Sequence, residues 1–278
     1  MLTAAQAEAP IGVFDSGVGG LSVLRALRTQ LPQENFVYLS DAAHAPYGER
    51  TDEYVTVRAL RVAEYLVEQL GVKALVVACN TATAAAVHIL RERWPVLPVV
   101  GIEPALKPAA AASQTKRVGV MATRGTLQSA KFKVLLDTLQ GQAQFVVQPC
   151  DGLAAAIENG DDRTTHLLCE TYIRALGNFG RQPGQLDQLV LGCTHYPLVG
   201  EMLQNLVGPA VTLVEAGAPV SLQTRRVLAQ AGLLRQQSGG TGTTRLLSTG
   251  TSQALEGNAA RWLSLDGVVE SVQTGSAR

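Results

Sequence analysis

Ala74-Leu75-Val76-Val77-Ala78-Cys79-Asn80-Thr81 runs five apolar residues straight into a thiol, an amide and a hydroxyl. An uninterrupted apolar run of that length suits a strand buried on both faces, and falls far short of the roughly 18 residues a transmembrane helix needs. The pattern returns at Val190-Leu191-Gly192-Cys193-Thr194-His195, with Cys193 standing 114 positions after Cys79. A second echo links Ile11-Gly12-Val13-Phe14-Asp15-Ser16 to Val118-Gly119-Val120-Met121-Ala122-Thr123, 107 positions on. Two echoes in one order at similar offsets imply two like halves.

Short runs rich in β-formers lie at 11–14, 36–39, 74–78, 99–102, 117–121, 144–147, 188–191, 211–214 and 245–248, with helical patterns between them. That alternation is the rhythm of parallel sheets. The expected fold is α/β: two similar doubly wound parallel-sheet domains related by pseudo-symmetry, with the active site in the cleft between them. Pro95 to Pro98 and Pro209 place the division at 1–98 plus 209–278 for the first domain and 99–208 for the second. The clearest helix opens at Thr51, sets Asp52 and Glu53 against the positive end of the dipole, and stops at Gly71. Its expected apolar stripe is Tyr54, Val57, Val62, Leu66 and Leu70. The stretch Ser238 to Thr244 holds only Gly, Ser and Thr and reads as a flexible turn, and the tail after about Gly267 is expected to fray.

Composition narrows the function. The 278 residues carry 23 basic and 23 acidic side chains, so there is no surplus of Lys and Arg to displace counterions from nucleic acid. Residues Met1 to Pro10 hold no Lys, Arg or apolar h-region, so a cytoplasmic product is expected. The four cysteines, at 79, 150, 169 and 193, match no metal or redox spacing and are expected to be free thiols.

Ligands of parallel α/β sheets sit beyond the carboxyl ends of the strands, which directs attention to the residues just after each run. These are Asp15-Ser16, Ser40-Asp41, Cys79-Asn80-Thr81, Thr123 and Cys193-Thr194-His195. The turn Asp15-Ser16-Gly17-Val18-Gly19-Gly20 fails the dinucleotide fingerprint because position 22 is Ser. Asp15 would repel a pyrophosphate and suits an ammonium group, and the glycines would let backbone amides approach a small carboxylate. Free Cys most often only packs, and that reading holds for Cys169, which lies in a helical stretch. Cys79 and Cys193 differ because each ends an apolar run near a helix N-terminus, where amides and the dipole favour a thiolate. His195 would orient or protonate a thiol or a carboxylate, and Glu158 reads as a solvated charge on a helix. Asp41, His44 and Tyr47 fall in a loop suited to ligand contact.

Together, 11–24 (IGVFDSGVGGLSVL), 38–50 (YLSDAAHAPYGER), 76–83 (VVACNTAT), 118–126 (VGVMATRGT) and 190–198 (VLGCTHYPL) resemble the glutamate racemases of the cofactor-independent aspartate/glutamate racemase family. The resemblance runs from about residue 11 to 263. It implies interconversion of L- and D-glutamate for peptidoglycan synthesis by a cytoplasmic enzyme, often a homodimer, with no metal, no pyridoxal phosphate and no nucleic-acid or membrane partner. Carried onto matching positions, Cys79 and Cys193 would be the acid/base pair. Asp15, Ser16, Tyr47, Gly48, Asn80, Thr81, Thr194 and His195 would bind substrate, with Thr123 a further contact. The sequence departs from the family at Cys150-Asp151, where Cys-Pro is usual, and at Glu215-Ala216. An aspartate racemase, or a hydantoin or maleate enzyme of the same fold, is the alternative the resemblance leaves.

Overall fold

The computed structural model describes residues 4–235, 240–265 and 267–275. Its strands are β1 (Ile11–Asp15), β2 (Phe36–Ser40), β3 (Ala74–Val77), β4 (Val99–Gly101), β5 (Arg117–Ala122), β6 (Gln144–Pro149), β7 (Gln188–Gly192), β8 (Thr212–Val214), β9 (Thr244–Ser248) and β10 (Val269–Ser271). They form two all-parallel sheets, ordered β10-β9-β2-β1-β3-β4 and β6-β5-β7-β8. The run β2-β1-β3-β4 has the same order as β6-β5-β7-β8, so the sequence echoes pair β1 with β5 and β3 with β7. Alternate residues serve opposite faces: Ala74 and Val76 of β3 enter one apolar cluster, Leu75 and Val77 another. Burial on both faces is why these strands read as continuous apolar runs.

The division expected at 98 and 209 moves by one strand at each crossing. β4 pairs with β3, Val99 opposite Leu75, and so belongs to the first sheet; β8 pairs with β7, Thr212 opposite Gln188, and so belongs to the second. The prolines mark the turns that lead into these edge strands, and the chain changes sheets only after them.

Thr51 caps its helix as expected, its hydroxyl accepting from the Tyr54 amide at 3.3 Å. The α-helix covers Asp52–Glu64, and the last turn, Tyr65–Gln69, widens to π geometry. The buried face is Val55, Arg58, Ala59, Val62, Ala63 and Leu66, while Tyr54 and Val57 lie half-buried on its flank. The buried stripe is displaced from the expected one because a charged residue, Arg58, occupies a core position.

The described part of the tail, 267–275, is ordered by sheet pairing and does not fray as expected; residues 276–278 lie outside the described residues. β10 pairs with β9, Val269 opposite Leu246, because that sheet edge offers backbone partners to an extended segment. Of the expected Gly/Ser/Thr turn, Ser238 and Gly239 lie outside the described residues. Gly242 and Thr243 are tied to the Pro32–Phe36 segment by backbone hydrogen bonds of 2.9 and 2.8 Å. Among the described residues, no helix is long and apolar enough to cross a membrane.

Candidate active site

The residues that close β1 or follow β3, β5 and β7 meet in the cleft. Asp15 closes β1 and is fully buried; its Oδ1 accepts from the Ser16 amide at 2.7 Å, and its Oδ2 accepts from the Thr194 hydroxyl at 3.0 Å across the cleft. Cys79 follows β3 and caps the helix Asn80–Arg93, its sulfur accepting from the Ala82 amide at 3.5 Å, with the Ser16 hydroxyl at 4.0 Å. Cys193 follows β7, its sulfur 3.8 Å from His195 Nδ1. The two thiols are 5 % and 7 % exposed, so a reaction between them would proceed without bulk water.

Thr81 and Thr123, from opposite sheets, meet hydroxyl to hydroxyl at 3.1 Å. Thr123 is held in turn as the cap of the helix Arg124–Gln128, accepting from the Thr126 amide at 3.2 Å. Asn80 is buried, and its side-chain oxygen has no hydrogen-bond partner. Gly48 lies so close to Thr123 that a Cβ there would sit 2.8 Å from its methyl. The Tyr47 side chain gives its hydroxyl to Asp41 Oδ2 at 2.5 Å, and its ring joins the apolar cluster that includes Cys79, which leaves the Tyr47-Gly48 backbone as the part available to a ligand. Cys169 packs in apolar surroundings, where burial pushes its pKa up to about 11. Cys150 packs in the same cluster, and burial raises its thiol too.

Glu158 overturns its reading as a solvated charge. It ends the helix Leu153–Glu158 and is folded inward, with Oε2 2.6 Å from His195 Nε2 and accepting from the Val18 amide at 2.9 Å. The carboxylate that the Gly17–Gly20 turn holds is therefore one of the protein's own. A Cβ at Gly17 would fall 2.2 Å from Glu158 Oε2, and one at Gly19 would fall 2.4 Å from His195 Nδ1. Nothing near Glu158 in sequence announces this, since its partners stand 37 and 140 positions away. The pair of bare glycines facing it is the available signal. Gly19→Ala is expected to push His195 out of line and lower kcat/KM by about 10²-fold, the cost of an ångström-scale misplacement. Steady-state kinetics against a melting curve will check this, and unchanged kinetics would refute it.

The electrostatics of the two halves differ. Around Cys79, burial raises the thiol, and the Asp15 carboxylate and the Cys193 sulfur raise it further. Asp15 is itself raised by burial, with His195 and the Ser16 amide pulling the other way. Around Cys193, burial pushes the His195 imidazole down, but the Cys193 sulfur and Glu158 outweigh it and hold the imidazole well above its ordinary value. For Glu158 burial raises the carboxyl, and the hydrogen bond and charge of His195 win and lower it. The stabilisation from His195 is complete below pH 6.5, the ordinary imidazole value, and lost as pH rises through the elevated folded value. That from Glu158 is complete above pH 4.5 and lost as pH falls through the depressed folded value. In urea melts, the stability gap between the wild type and Glu158→Gln should hold steady between those two values. It should shrink below the lower one, and a gap that widens in acid would contradict the pairing.

With this geometry in place, the comparisons with known proteins fall on the same residues. The Asp/Glu/Hydantoin racemase profile matches residues 11–219, which takes in β1 to β8 and both thiols. The chain belongs to the Asp/Glu/Hydantoin racemase family. A family relative, the glutamate racemase of Ectopseudomonas mendocina (strain ymp), is 49% identical over 253 residues, covering 90% of this chain and 93% of the relative. A crystal structure of a glutamate racemase isoform from Bacillus anthracis superposes with a TM-score of 0.83 at 33% identity, covering 95% of this chain and 97% of that one. The glutamate racemase of Francisella tularensis subsp. tularensis SCHU S4, in complex with D-glutamate, superposes at 0.81 with 26% identity, covering 96% and 98%.

Proposed function

We propose that this chain interconverts L- and D-glutamate by exchanging the α-proton between two thiols, Cys79 on one face of the α-carbon and Cys193 on the other. The observation that carries the reading is the equivalence of the two sulfurs. Cys79 follows β3, the neighbour of β1, and Cys193 follows β7, the matching neighbour of β5; both are buried in one cleft, and Asp15 is tied to both sides. Inverting a carbon requires a base on one face and an acid on the other, and two fixed groups do this without either one moving. The Francisella relative held with D-glutamate supports the choice of substrate.

Each direction needs one thiolate and one thiol, and the roles exchange with the enantiomer. Cys193, 3.8 Å from the His195 imidazole that Glu158 backs, takes the proton from the enantiomer whose Cα–H faces it. Cys79, with its thiol raised, starts protonated and returns a proton to the opposite face. In the reverse direction Cys79 must be the thiolate, and the arrival of a substrate ammonium beside Asp15 offsets the negative charge that disfavours this. The buried Asn80 amide and the Thr81 hydroxyl supply donors for the substrate carboxylate as charge develops on it, with Thr123 and Thr194 lining the same cleft. The product would serve peptidoglycan synthesis in the cytoplasm, from an enzyme working as a homodimer.

Proton NMR of L-glutamate in D2O tests the reading. Deuterated D-glutamate should appear while unreacted L-glutamate stays protonated at early times. Washout of L-glutamate without inversion would leave one working base and remove the two-thiol scheme. Faster turnover of L-aspartate would reassign the substrate.

A further inference from the structure

Arg58 is a cation shut off from solvent on the inner face of the helix Asp52–Glu64. Its Nε donates to Asp41 Oδ2 at 3.0 Å and its Nη2 to Asp41 Oδ1 at 2.9 Å, a planar fork on a carboxylate. The remaining donors go to the far end of the chain, Nη2 to the Thr274 hydroxyl at 2.6 Å and Nη1 to the Gly275 carbonyl at 2.8 Å. β10 ends at Ser271, so these contacts lie beyond what closing the sheet edge requires.

On its other side Asp41 accepts from the Tyr47 hydroxyl at 2.5 Å and the Thr249 hydroxyl at 2.9 Å, and its Oδ1 lies 3.1 Å from His44 Nδ1. Tyr47 leads directly into Gly48, which abuts Thr123, and into Glu49, whose carboxylate accepts from the Gly152 amide at 3.2 Å at the start of the helix carrying Glu158. An unbroken line of polar contacts thus joins the tail to the loop that roofs the cleft. A guanidinium cannot shed its proton, so withdrawing Thr274 and Gly275 would leave two buried donors unmatched and drive Arg58 to reorient, taking Asp41 with it.

We propose that the C-terminal segment 272–275 is a positioning element of the active-site loop, fixing Tyr47 and Gly48 through Arg58 and Asp41. The effect on catalysis rests on the racemase reading, whereas the effect on the loop does not.

Two readouts separate them. In hydrogen exchange followed by mass spectrometry, the peptide spanning residues 41–50 should exchange about fivefold faster in Thr274→Val and about tenfold faster in a chain ending at Ser271. In kinetics, Thr274→Val should raise KM for L-glutamate by a similar factor, with kcat per folded enzyme changed less than about twofold. In a Tyr47→Phe background, where the line is already cut, Thr274→Val should add less than about twofold to KM. Unchanged loop exchange in Thr274→Val, or an equal KM penalty in both backgrounds, overturns the proposal. If the shortened chain does not fold, the near-isosteric Thr274→Val decides alone. If the wild type does not turn over glutamate, the racemase reading falls and loop exchange still decides whether the tail holds the loop.

Discussion

Alanine at Cys79 or at Cys193 is expected to lower racemisation by at least about 10³-fold, within the range a positioned acid or base supplies. Neither the neighbouring hydroxyl nor the neighbouring imidazole replaces the missing thiol. The Ser16 hydroxyl beside Cys79 is far too weak an acid to share the proton, and His195 beside Cys193 is already bound to Glu158. The folded state should survive, because each change removes one small buried sulfur, plus in Cys79 a helix cap worth about 1 kcal/mol. The two variants should also fail in complementary ways. With only one base left, a proton can be taken from, and returned to, the same face. In D2O each variant should therefore wash deuterium slowly into one enantiomer without inverting it, and the two should choose opposite enantiomers. Near wild-type turnover in either variant, or washout of the same enantiomer by both, would end the two-thiol scheme.

Glu158→Gln should cost about 10²-fold in kcat/KM, the second largest effect expected among single side chains. The amide keeps the shape and an acceptor for the Val18 amide, so the loss isolates charge: His195 forfeits the anion that raises its pKa. L- and D-glutamate have equal free energies in water, so kcat/KM must fall equally in both directions, whichever thiol the change affects. The asymmetry should appear in the pH profile. The limb that reports a protonated His195 moves to lower pH, because the neutral amide no longer favours the imidazolium. A profile that does not move, with kcat/KM within threefold of wild type, would show that Glu158 does not act through His195.

Much of this site is legible in the sequence. The apolar runs ending in Cys79 and Cys193 are buried strands because a sheet covered on both faces admits no polar interruption, and in a parallel sheet the residues just past such a run must face the ligand side. Thr51 reads locally because a helix cap is completed within three residues. The hidden features are polar and distant. Arg58 lies outside the expected apolar stripe, yet it is the most deeply placed cation of its helix, because its partners Asp41 and Thr274 are assembled from both ends of the domain. Glu158 reads as a surface charge for the same reason. The anchoring of the Tyr47 hydroxyl on Asp41 is likewise invisible in the sequence.

By itself the sequence determined the class of fold, the two-fold repetition and the strand-end residues, since each derives from periodicity and from chain direction, which are local properties. Tertiary structure alone decided which sheet took β4 and β8, that the tail turns inward, and that the acid facing the Gly-rich turn is Glu158. Those outcomes depend on which buried donors find acceptors, and hydrogen bonds between residues 140 to 217 positions apart leave no periodic trace in the chain that makes them.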